Sequence, residues 1–262
     1  MSVLLLAYLA LGAVAGFLAG LFGIGGGIVM VPAYFYLFRH EGIAPGLTMH
    51  MAIATSLAAA AFTAATSTLA HHRRQGVVWP AVQGLAPGIV AGALAAGLVA
   101  QYLPDGALRA AFAVFLFYAA LQLARDWRPA PHRELPGPLP LALVGTGIGA
   151  LSTLLGIGGG TLTVPLLLWC NTPMIRALGT AAACGLPITL AGALSLACAG
   201  WDMPDLPVHS TGYIYWPAIL PVVAVTVLTA PLGVRLAHRL PVTILRRSFA
   251  AVVALVAVRM LS

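Results

Sequence analysis

The chain has 262 residues, of which 61% are hydrophobic and 7% charged, and its mean hydropathy is +0.99. A soluble domain carries roughly 25% charged residues, so composition excludes an ordinary water-soluble protein and points to an all-α polytopic membrane protein. The net charge of +7 does not imply nucleic acid. Every cation is an arginine, dispersed through short loops without a basic stripe, as orientation in a bilayer requires.

The first apolar stretch covers residues 4–22. Residues 4–11 with Ala13-Val14-Ala15 resemble a signal peptide, but they lack a positive leading region, and their counterpart over 141–155 is internal. A retained helix is expected. The run Gly23-Ile24-Gly25-Gly26-Gly27 then breaks the pattern, and a short apolar arm follows over 28–38. Apolar stretches over 49–70, 77–100 and 108–124 complete the first half, several reaching the ~18 residues needed to cross a bilayer. Residues 125–140 form an Arg/Pro-rich linker. The second half repeats the order: 141–155, the run Gly156-Ile157-Gly158-Gly159-Gly160, an arm over 161–170, then 177–199, 214–236 and 244–261. Each arm of near ten residues would cover about 15 Å if helical, roughly half the bilayer core.

The halves correspond residue by residue. Gly16 matches Gly149, Pro32 matches Pro165, and Ala52-Ile53-Ala54-Thr55 resembles Ala177-Leu178-Gly179-Thr180. Pro87 pairs with Pro221, and Leu108-Arg109 with Leu245-Arg246. We divide the chain into a first membrane repeat (1–124), a cytoplasmic linker (125–140) and a second repeat (141–262), each of about five helical segments. Arginine placement sets orientation. Loop 71–76 carries Arg73 and Arg74, whereas its equivalent, 201–213, carries two aspartates and no arginine. Opposite bias in equivalent loops is the mark of inverted topology.

The glycine runs are the candidate site. Neither has the GK[ST] of a nucleotide-binding loop, and Ile28 and Thr161 stand where a dinucleotide fingerprint needs glycine. Gly12, Gly16 and Gly20, like Gly84, Gly88 and Gly92, have the spacing of close helix packing. Three consecutive glycines are different, because they spoil a helix in a solvent that punishes unpaired backbone. Uncovered N–H groups at Gly25, Gly26, Gly27, Gly158, Gly159 and Gly160, each before a helical piece, suit an anion. Thr55, Ser56 and Thr180 follow the breaks at matching depth and offer hydroxyls. Thr161 and Thr163 are further candidates beside Ile28 and Met30 of the first half, and Gln83, one turn before Pro87, is a candidate for a cavity-facing position. His50 is expected to cap or pack. All six acids fall in loops or at helix ends, so no buried carboxylate relay is expected. The three cysteines lie fourteen residues apart and read as packing residues.

The paired GIGGG-x-x-x-VP segments, followed by Ala54-Thr55-Ser56 in one half and Gly179-Thr180-Ala181 in the other, resemble the sulfite exporter TauE/SafE family. The resemblance spans both halves. It implies a multi-pass permease of the bacterial inner membrane that exports sulfite, organosulfonates or related small sulfur-containing anions. Ala181 in place of Ser56 leaves the halves unequal as donors. Expected partners are the anion and the lipid bilayer, not nucleic acid, and a homo-oligomer is compatible with the chain. No cofactor, metal or catalytic residue is expected. An anion channel of the same architecture is the alternative. An intramembrane enzyme is less favoured, because HExxH, GxSxG and a nucleophile with a histidine–acid pair are all missing.

Overall fold

A computed structural model describes residues 2–22, 26–125, 135–237 and 243–261. Gly25 and residues 126–134 of the expected linker lie outside them. Alanine and leucine are strong helix formers, and in a bilayer the backbone must pair within its own segment. Ten helices result among the described residues: α1 (Ser2–Phe22), α2 (Gly27–His40), α3 (Thr48–His72), α4 (Trp79–Ala100), α5 (Asp105–Arg125), α6 (Pro138–Leu154), α7 (Gly160–Trp169), α8 (Met174–Ala199), α9 (Trp216–Ala237) and α10 (Thr243–Leu261). Six are long and apolar enough to cross a membrane. The chain is an all-α multi-pass membrane protein, with five of the described helices before residues 126–134 and five after.

Two details depart from the sequence expectations. Residues 214–215 do not open the ninth helix, and with residues 210–211 they build a hairpin instead. It is antiparallel, of β1 (Ser210–Thr211) and β2 (Ile214–Tyr215), with Ser210 opposite Tyr215. Gly212 turns it at φ +53°, and its Cα presses on the backbone of Ala197, where a side chain would collide. The proline pairing is also displaced. Both α4 and α9 start at a Trp-Pro-Ala sequence, at Trp79 and Trp216, with proline in the first turn, where its missing N–H is harmless. That places Pro87 ninth in α4 and Pro221 sixth in α9, about one turn out of register.

α3 and α8 form the centre. Of their most apolar stretches, 78% and 72% is buried, against 33–50% for the other four long helices. They run antiparallel: the glycine faces of α8 at Gly179, Gly185 and Gly192 meet His71, Ala64 and Leu57 of α3 in turn. Around them, α1 packs on α9, α4 on α6, and α5 on α10, while α9 also packs on α3 and α4 on α8. Exchanging α1–α5 with α6–α10 leaves each of these contacts in place. Close approach depends on small residues, as lipid-embedded packing usually does. Gly12 and Gly16 of α1 touch the α9 backbone at Val222 and Thr226, and Gly88 and Gly92 of α4 touch the α6 backbone at Ala142 and Thr146. The outer faces show large apolar side chains such as Leu5, Val114, Leu220 and Leu228, a surface suited to lipid.

Candidate functional site

The two glycine breaks have the same backbone geometry. Gly26 precedes α2 at φ +75° and Gly159 precedes α7 at φ +74°, a left-handed conformation natural only to glycine. The Gly26 carbonyl accepts from Val29 and Met30 at 3.0 Å, and the Gly159 carbonyl from Leu162 at 3.1 Å and Thr163 at 2.8 Å. Neither cap has a side chain to cover the first amides. At the second break, no described residue accepts from the N–H groups of Gly158, Gly159, Gly160 or Thr161. Such donors at a helix start, aligned with its dipole, make an anion site.

The breaks meet. A side chain on Gly27 would lie 2.5 Å from the Gly156 carbonyl oxygen and 2.7 Å from Ile157 Cα, so the start of α2 lies directly on the second glycine run. Ser56, on α3, donates to the same Gly156 carbonyl at 2.9 Å. A small cavity opens beside Gly158 between α1, α3 and α8, also lined by Thr63 and Ser67, with about 20 Å³ of room for the centres of water-sized molecules. That is water-sized space.

The expected hydroxyls divide into two groups. Thr55 accepts the Tyr215 N–H at 3.1 Å, and Thr180 accepts the Val78 N–H at 2.9 Å while giving its proton to the Arg176 carbonyl at 2.7 Å. Val78 and Tyr215 directly precede the two Trp-Pro-Ala helix starts. Each repeat therefore caps the fourth helix of the other with an equivalent threonine. With Ser56 also engaged, these three hydroxyls join the repeats. Thr161 is different: its hydroxyl is buried without a partner, and so are those of Thr163, Ser152 and Thr153. All four lie within α6 and α7 on either side of the second run, and Ser152 Oγ is 3.5 Å from where a side chain on Gly159 would begin. Unpaired buried hydroxyls are uncommon and costly. Ser152 and Thr153 were missed by sequence reasoning. A signal was present, since the repeat offset aligns Ser152, Thr153, Thr161 and Thr163 with Ala19, Gly20, Ile28 and Met30, all without hydroxyls.

Gln83 stands apart from this cluster. It is exposed on α4 and does not line the cavity at Gly158, because α4 turns the neighbouring face of Gly84 and Gly88 onto α6.

The chain matches the family model described as sulfite exporter TauE/SafE over residues 8–260. It is similar to a probable membrane transporter protein of Haemophilus influenzae, with 36% identity over 262 residues and 99% of each chain covered. A probable membrane transporter protein of Methanocaldococcus jannaschii is 28% identical over 208 residues, covering 78% of this chain and 73% of its own. One from Bacillus subtilis is 29% identical over 177 residues, covering 60% and 65%. No solved structure matches the chain.

Proposed function

The chain belongs to the sulfite exporter TauE/SafE family, and from that premise we propose that it is a secondary transporter exporting sulfite, an organosulfonate or a related small sulfur-containing anion across the bacterial inner membrane. The observation that carries this reading is the second break. The N–H groups of Gly158, Gly159, Gly160 and Thr161 meet no described acceptor, and α6 and α7 on either side of the break carry four unpaired buried hydroxyls, of which Ser152 lies beside Gly159. These are donors awaiting an acceptor, and an oxyanion supplies several. Helix termini, each equivalent to roughly half a positive charge, neutralise it at α7 and at the adjoining start of α2. No arginine is needed among them. The two halves act unequally: the second break holds the anion and the first abuts it.

The antiparallel α3 and α8, with equivalent contacts around them, support an inverted repeat. Rocking one repeat against the other would expose the breaks to each face in turn. The water-sized space at Gly158 fits a closed state between the two.

Binding of sulfite, thiosulfate, sulfoacetate and sulfate to the purified protein tests the reading. At least one sulfur anion should bind, and Ser152→Ala or Thr161→Val should weaken it about fivefold or more, the effect of one lost hydrogen bond. Unchanged affinity in both variants would remove the second break from the site. Counterflow in vesicles separates carrier from channel, since only a carrier exchanges labelled for unlabelled anion.

A further inference from the structure

At the start of α3 a histidine and an aspartate from different helices meet inside the protein. His50 is 4% exposed, and its Nε2 lies 3.0 Å from the Ala100 carbonyl oxygen at the end of α4. A carbonyl only accepts, so Nε2 carries the hydrogen and Nδ1 is bare in the neutral ring. Nδ1 has no hydrogen-bond partner, yet it stands 3.6 Å from Oδ1 of Asp105, the first residue of α5. The same Oδ1 accepts the Met49 N–H at 2.6 Å, which satisfies an open donor at the α3 terminus and holds the carboxylate in place. Neutral His50 thus turns a lone pair toward a carboxylate. A proton on Nδ1 converts that conflict into a charge-assisted pair.

The neighbouring groups leave this proton to His50. Tyr213 of the hairpin lies over the imidazole, with ring centroids 5.2 Å apart. Burial pushes its phenol up, so it stays neutral. Glu41, at the end of α2, is engaged by Tyr8 and Tyr215. Arg109, one turn along α5, makes no ion pair with Asp105 among the described residues. α4 contributes the Ala100 carbonyl.

We propose that His50 and Asp105 form a proton-binding site whose loading is coupled to the anion site. The coupling rests on the transport reading above, and the proton site does not. Contacts run continuously between them. Tyr213 covers His50, and two residues on the Tyr215 N–H bonds Thr55. The next residue, Ser56, holds the Gly156 carbonyl of the second break.

Histidine ring ¹⁵N resonances of the purified protein, assigned by their loss in His50→Gln, test the site. Acidification should convert the His50 Nδ1 resonance from that of a bare ring nitrogen to that of a protonated one. Asp105→Asn should leave less of the ring protonated under the same acidification, because the charged ring loses its partner. A ring that stays neutral on acidification, or a protonated fraction unchanged by Asp105→Asn, overturns the proton site. Coupling is read in vesicles with sulfoacetate, whose own charges are constant above about pH 5. An imposed pH gradient should drive its accumulation in the wild type and fail to do so in His50→Gln and Asp105→Asn. Equal accumulation in wild type and both variants overturns the coupling. Absence of sulfoacetate exchange in the wild type without a gradient counts against the transport reading, and the titration still decides the proton site.

Discussion

Gly26 and Gly159 hold φ +75° and +74°, in a region that costs other residues roughly 1–2 kcal/mol. Their surroundings differ. A side chain on Gly26 would meet Met30 Cε at 3.3 Å and the Ala15 carbonyl at 3.5 Å, whereas on Gly159 it would run into Ile188 Cδ1. Gly159→Ala should therefore lose more stability than Gly26→Ala, whose loss should stay near the backbone cost alone. Thermal unfolding in detergent measures the difference, and equal losses would mean that Ile188 yields freely. A second contrast separates binding from architecture. Thr180→Val strands the Val78 N–H and should cost about 1–3 kcal/mol of stability. Thr161→Val removes a hydroxyl that bonds nothing, so stability should hold or rise while anion affinity falls. The glycines were legible because consecutive glycines contradict the helix around them. The hydroxyl roles were not. A threonine in a membrane helix ordinarily bonds its own preceding turn, and nothing in the spacing around Thr55 reveals an amide 160 residues away.

Among the elements, the apolar stretches marked the long helices to within a few residues, and the short arms emerged as α2 and α7. Those two have 14 and 10 residues, or about 21 and 15 Å at the helical rise, too short to span the core upright. The hairpin before α9 escaped because Ile214 and Tyr215 continue an apolar run that reads equally as helix. Its fold is set by Gly212 and by packing on α8, both tertiary matters. At Gly12, Gly16, Gly84, Gly88 and Gly92 the glycine stripes do pack closely on neighbouring helices, and the contacts permit a sharper test. A side chain on Gly88 would strike the Ala142 carbonyl, and one on Gly149 the Ile89 carbonyl, but Gly147 has nothing within 4 Å. Gly147→Ala should be neutral or stabilise by up to about 1 kcal/mol through helix propensity. Gly88→Ala and Gly149→Ala should each destabilise by about 1–3 kcal/mol, because two backbones must separate. Equal effects at all three positions would show that α4 and α6 do not meet along this stripe.

For the molecule as a whole, orientation is the property on which the transport reading depends most. Loop 71–76 brings Arg73 and Arg74 and joins α3 to α4, while the loop from α8 to α9 holds Asp202 and Asp205. Because α3 and α8 run antiparallel, those loops leave the bundle at opposite ends. In the topology we propose, the positive-inside rule sets the arginine loop, and with it the linker two spans later, on the cytoplasmic face. The His50–Asp105 pair falls at the other end, near the aspartate loop. In that proposed topology a proton would enter from outside. Single cysteines replacing Pro131 and Asp202, in a background without Cys170, Cys184 and Cys198, should react with an impermeant reagent from opposite faces, Asp202→Cys from outside. Labelling of both from one face would remove the inversion. It would also remove alternating access by two equivalent halves, because equivalent helices could then no longer present the breaks to the two sides in turn.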